Sequence, residues 1–211
     1  MFDYSLLHWT SFLTAAVLLN LAPGPDIAFI LGRTISGGTK AGFAAMFGIW
    51  AGAFVHVLMA SIGLSALLAT SAVAFSIVKW AGAAYLIWLG IQTIRAGGGS
   101  FVGDTAKKSE SFRSIFQQGV LVAVLNPKVA IFFLAFLPQF IVPGAGPVPA
   151  QLFLHGSLII VVAAFVEPPL VLAGERLTRA LRGNPRFGLW LDRTLGGLLV
   201  ALGLKLATSK L

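Results

Sequence analysis

The chain has 211 residues, of which 57% are hydrophobic and 10% charged, and its mean hydropathy is +0.91. Soluble domains carry about 25% charged residues, so this composition excludes a water-soluble globule and makes lipid the solvent. The net charge of +8 does not indicate nucleic acid, because the cations lie between apolar runs, and the lack of cysteine excludes disulfides, thiolate metal sites and dithiol chemistry.

The opening stretch MFDYSLLHWTSF has no basic leader region and no small-residue cleavage site follows, so the first segment is expected in the mature protein. A helix needs about 20 apolar residues to cross a hydrocarbon layer roughly 30 Å thick. Six runs reach that length, at about 6–31, 41–69, 71–94, 114–141, 150–173 and 188–207. None shows the short alternating pieces of barrel strands, which predicts an all-α integral membrane protein. No formal charge falls between Ala41 and Val78, and Ala69-Thr70-Ser71 predicts a tight turn between two spans. The Gly- and Ser-rich stretch 96–111 predicts a flexible cytoplasmic loop, and 144–149 a short external turn. Connections after the odd-numbered spans hold eleven Lys and Arg residues, whereas the opposite side holds only Lys79, Lys205 and Lys210. Cations favour the cytoplasmic side, so both termini are expected outside the cytoplasm. A re-entrant first segment would reduce the count to five spans.

Cut at the loop, the chain forms two three-span units: repeat one at about 1–95, the loop at about 96–113 and repeat two at about 114–211. Pro25-Asp26-Ile27 lines up with Pro127-Lys128-Val129 at an offset of 102, Ala53 to His56 with Ala164 to Glu167 at 111, and Leu89-Gly90 with Leu202-Gly203 at 113. A three-span unit repeated in tandem must insert in opposite orientation. The expected architecture is therefore six transmembrane helices as two inverted repeats, with a broken first helix in each half and a site near the bilayer middle.

The breaks carry the candidate site. In Asn20-Leu21-Ala22-Pro23-Gly24-Pro25-Asp26 the prolines remove helical donors and Gly24 loosens the backbone. The helix should unwind and restart at Pro25. Either this forms a cradle for a substrate carboxylate, with Asp26 meeting a cation, or it is a packing kink with Asp26 near an interface. In Asn126-Pro127-Lys128 the Asn amide is expected to satisfy carbonyls freed by the proline, and Lys128 either pairs with Asp26 or snorkels to water. His56 continues the small-residue stripe of Gly48 and Gly52. It either binds substrate or relays protons, or is satisfied by a neighbouring Ser or carbonyl. Glu167, before Pro168 and Pro169, is the first candidate for proton coupling, with a static hydrogen-bond anchor as its alternative. KWAGAAYLIWLG (79–90) reads as lipid- and bundle-facing surface, and the Arg-rich 175–186 as an inner-face segment against anionic headgroups. No metal pair, nucleophile elbow or phosphate loop is present, so no catalytic, metal or cofactor site is expected.

APGPD, the Gly48-Gly52-His56 stripe with Gly63-Leu64, KWAGAAYLIWLGI (79–91), LNPK with FLPQF (136–140) and the acid in span 5 together resemble the RhtB branch of the lysine-exporter (LysE) superfamily. The resemblance covers nearly the whole chain. It implies proton-motive-force-driven export of amino acids or related metabolites across a bacterial inner membrane, without a nucleotide-hydrolysing subunit. The position of Glu167 is commonly Asp in that family, and the double proline after it departs from the pattern. The partners expected are an amino-acid substrate, protons and the bilayer, with a homo-oligomer left open. A lipid or cadmium carrier on the same scaffold and a non-transporting assembly factor are the rival readings.

Overall fold

The computed structural model describes residues 4–64, 72–95, 110–183 and 185–208 and is helical, with no strand among the described residues. The predicted turn at 69–71 and most of the predicted loop at 96–111 lie outside them. Helix α1 (Leu6–Leu21) starts where the Ser5 hydroxyl oxygen accepts the His8 N–H at 3.1 Å. Its 16 residues rise only about 24 Å. It stops at Ala22, which is extended (φ −61°, ψ 126°), as a residue before proline tends to be.

Helix α2 (Pro25–Met59) restarts at once, because a proline at the first helical position gives up an N–H that would be unsatisfied anyway. A π turn, Ala60–Leu64, extends it. The two separate spans expected over 6–31 and 41–69 are thus drawn differently. One helical run continues from Pro25, jointed at Gly38, whose φ of +76° favours glycine. Helix α3 is Ala72–Arg95 and α4 is Phe112–Val124. After the break at Leu125-Asn126, α5 (Pro127–Ile131) passes into a π turn (Phe132–Phe136) and a 3-10 turn (Leu137–Phe140). The axes on either side of that break differ by 47°. Helix α6 (Val148–Gly183) runs through Pro168 and Pro169, and α7 (Pro185–Thr208) closes the described chain. By length and composition three segments can each cross a membrane, namely Pro25–Gly63, Val148–Gly174 and Arg186–Thr208. The bent pair Phe112–Val124 and Pro127–Phe140 makes a fourth if it is one span.

The main helix contacts are α2 with α4, α3 with α7, and α6 with both α1 and α2. Glycines set the closest approaches. A Cβ on Gly48 would lie 2.2 Å from the Phe116 carbonyl oxygen, and one on Gly90 2.5 Å from that of Gly196. Backbone cannot yield as a side chain does, so these crossings need glycine at Gly48 and Gly90. Gly48→Val is therefore expected to cost at least about 1–3 kcal/mol and to lower the midpoint of thermal unfolding in detergent. Gly197→Val, where a Cβ meets nothing within 4 Å, should leave the midpoint unchanged.

Candidate functional site

The two helix breaks meet in the interior. Lys128 Nζ lies 2.9 Å from Asp26 Oδ2 and 3.0 Å from Oδ1. The same ammonium donates to the carbonyl oxygens of Ala22 at 2.9 Å and Leu19 at 3.4 Å. Those carbonyls end α1, where no helical N–H follows to take them, so one side chain fills both the charge and the backbone vacancy of the break. Lys128 is 1% exposed. Of the two readings of this residue, the structure takes pairing rather than snorkelling. Gly24 is needed here for space: its φ of 178° suits any residue, but a Cβ would sit 2.8 Å from Asp26 Oδ1 and 3.1 Å from Lys128 Nζ.

Asn126 does not act as expected. Its Oδ1 accepts the Lys128 backbone N–H at 3.0 Å and caps α5, instead of its amide serving freed carbonyls. The reason is geometric: the proline restarts a helix, and the exposed groups beside it are donors. The Asn126 Nδ2 is buried and has no hydrogen-bond partner.

Asp26 and Glu167 line one cavity of about 30 Å³, with Asn20, Trp50, Phe133 and Ile159 among its walls. That volume holds about one or two waters and no amino acid. Glu167 is 2% exposed, and its Oε2 accepts the Trp50 indole N–H at 2.6 Å. Asn20 Nδ2 donates to Ala16 O at 2.8 Å and to Ile159 O at 3.3 Å, tying α1 to α6. Pro23 and Pro25 bound the first break and Pro127 the second. His56 is not among the cavity's walls. Its Nε2–H donates to the Ala123 carbonyl of α4 at 3.1 Å, so the structure uses it in helix packing. Among the described residues no group of three or more His, Asp or Glu side chains could hold a metal ion.

Sequence reasoning missed Trp50, which bears the only indole reaching the cavity's acid among the described residues. It also missed an ion pair beyond the far end of the site, where Arg33 meets Glu110 at 2.6 Å and lies over the Phe29 ring at 5.2 Å. Hydrogen bonds from Arg33 and Gln118 hold the Glu110 carboxyl below the usual range. A lowered carboxylate supports this contact at neutral pH and is lost as pH falls through its own range. Finally, His8 and His155, far apart in sequence, lie side by side.

Residues 17–210 match the family described as LysE type translocator. The chain is 34% identical over 202 residues to proteins named homoserine/homoserine lactone efflux protein in Salmonella typhi and in Salmonella typhimurium, covering 96% of this chain and 97% of each relative. It is 33% identical, over the same shares, to an uncharacterized membrane protein of Vibrio cholerae. No solved structure matches. With several apolar helices and a match over nearly its whole length, this multi-pass membrane protein, a transporter rather than an enzyme, belongs to the LysE type translocator family.

Proposed function

We propose that the protein exports homoserine-like amino acids and their lactones from the bacterial cytoplasm across the inner membrane, in exchange for protons. The observation that carries this reading is the buried Asp26–Lys128 ion pair at the two helix breaks, with Asp26 and Glu167 both lining one small cavity beside it. Homoserine and its lactone share a protonated amine and a carbonyl oxygen, whereas only the open form has a carboxylate. Recognition common to both therefore rests on acids for the amine, and Asp26 and Glu167 supply them. Lys128 then serves the carbonyl or carboxylate oxygen once substrate displaces it from Asp26. Proton binding at Glu167 alternates with amine binding. Export requires the cavity to widen, with each ligand favouring a different open state.

The architecture that fits is six spans in two inverted three-helix repeats joined by the 96–113 segment, both termini outside. Several contacts support it. Asp26 and Lys128, equivalent at an offset of 102, meet each other, as residues on a pseudo-twofold axis must. The Gly90–Gly196 contact, carried through the offset of 113, becomes the Gly203–Ala83 contact, where a Cβ would lie 2.9 Å from the Ala83 oxygen.

An efflux screen in a host lacking its own exporters tests the substrate class. Cells expressing the protein should survive otherwise toxic homoserine and release it to the medium faster than controls. Release of no amino acid or lactone in the panel sinks the reading.

A further inference from the structure

A second polar cluster, which the transport site leaves unused, joins the first turns of α1 and α6. The Tyr4 hydroxyl donates to Gln151 Oε1 at 3.1 Å, and the Nε2 atoms of His8 and His155 lie 2.8 Å apart. Gln151 also ties down the turn after the 3-10 segment: its Oε1 accepts the Val142 N–H, and its Nε2 donates to the carbonyls of Val142 and Gly146. The rings of Trp9, Phe12 and Phe140 surround His155, which is 1% exposed. One turn further along α6, Ile159 is a wall of the central cavity. The cluster thus lies one helical turn beyond that cavity, at the end where α1 and α6 start.

Donor and acceptor logic fixes the protons. His155 Nδ1 lies 2.8 Å from the Gln151 carbonyl oxygen, which only accepts, so Nδ1 carries the hydrogen. The Nε2 of a neutral His155 is then a lone pair, and His8 Nε2–H must be the donor across the 2.8 Å contact. A first added proton can go to His8 Nδ1 and keep the bond. A second has only the shared lone pair of His155 left. It would set two N–H groups and two like charges face to face, breaking the bond. Separated rings have no such restriction. Water reaches His8 through an open cleft of about 320 Å³ lined also by Ser5, Ser11, Gln139 and Lys205.

We propose that His8 and His155 form a proton-binding latch at the outer mouth, which outside protons open. This rests on the reading above that the chain is an exporter with an external N-terminus. The open mouth binds more protons than the closed one, so acid outside shifts the balance towards opening. The charged or titratable groups facing the pair are Tyr4, just before α1 and stacked on His8 with ring centres 4.4 Å apart, and Lys205 on α7 across the cleft. The segment Phe136–Phe140 presents Gln139 and no titratable group, and on α6 Glu167 lies three turns away. The Lys205 cation adds to the like-charge cost of the doubly protonated closed pair.

The absence of native cysteine allows a direct test. Ala163→Cys places a single thiol on a cavity wall that is 3% exposed. Its labelling rate with a membrane-impermeant maleimide in right-side-out vesicles is divided by that of Pro143→Cys on the exposed turn, which cancels the reagent's own pH dependence. Lowering external pH from about 7.5 to 5.5, across the range in which imidazole titrates, should raise the ratio at least about threefold. Adding His8→Phe should make the ratio high and independent of pH. Adding His155→Gln, which still accepts the His8 N–H but cannot titrate, should make it low and independent of pH. A flat ratio with both histidines present overturns the latch, even if neither variant folds. So does an undiminished pH response in His8→Phe, or a response that appears only when acid and reagent act from the other membrane face. A pH-dependent ratio in a protein that moves no amino acid upholds the latch and removes the transport reading alone.

Discussion

Lys128→Met is expected to stop export and to destabilise the protein together. The substitution keeps an unbranched side chain of similar length but leaves the Asp26 carboxylate buried without its ion-pair partner, and the Ala22 and Leu19 carbonyls without their donor. Breaking a buried pair on one side costs about 3–5 kcal/mol, whereas replacing both members by apolar groups is often neutral. The double variant Asp26→Leu with Lys128→Met therefore separates structure from function. Its thermal unfolding midpoint in detergent should return most of the way towards the parent, while its export stays at least about 100-fold reduced. Recovery of export along with stability would show that the pair only holds the two helix breaks together.

Glu167→Gln should have the second largest effect, and of a different kind. Glutamine keeps the shape and, through its carbonyl oxygen, can still accept the Trp50 indole hydrogen found at 2.6 Å. What it lacks is a proton to exchange. Substrate exchange across the membrane at equal pH should continue at a reduced rate, because Asp26 remains for the amine while the second acid is lost. Accumulation against a gradient driven by pH should disappear, because differential binding of the two ligands is what links their flows. Retention of full pH-driven accumulation would move coupling away from Glu167. Trp50→Phe, which removes only the donor, tests the anchor separately and should alter substrate affinity more than coupling.

How much of this was legible in the chain follows from the physics of each feature. The two breaks were, since proline and glycine act locally through φ and the missing N–H. Their meeting was only half legible: Asp26 and Lys128 match at an offset of 102, but that match left pairing and snorkelling both open, because residues at matching places need not touch. His56 follows the second of its two readings, a ring satisfied by a carbonyl. The stripe of Gly48 and Gly52 that marked its face as special is the face α4 packs on, so His56 was drawn to the Ala123 carbonyl rather than the cavity. Trp50 lies off that stripe, toward α6, and its partner Glu167 is 117 residues away. The joint at Gly38 was hidden because one left-handed residue can bend a helix without a loop. The histidine latch had one readable trace: Gln151 and His155 stand four residues apart and so share a helix face.

Transport by the purified protein reconstituted in liposomes bears most directly on the central claim. With protein oriented by sidedness of labelling, homoserine and its lactone should move against their gradients when protons are allowed to flow in the opposite direction. A protonophore should end the accumulation, and Asp26→Asn should prevent it. Movement of neither solute under any imposed gradient, or accumulation indifferent to the protonophore, would contradict proton-coupled export at the Asp26–Lys128–Glu167 site.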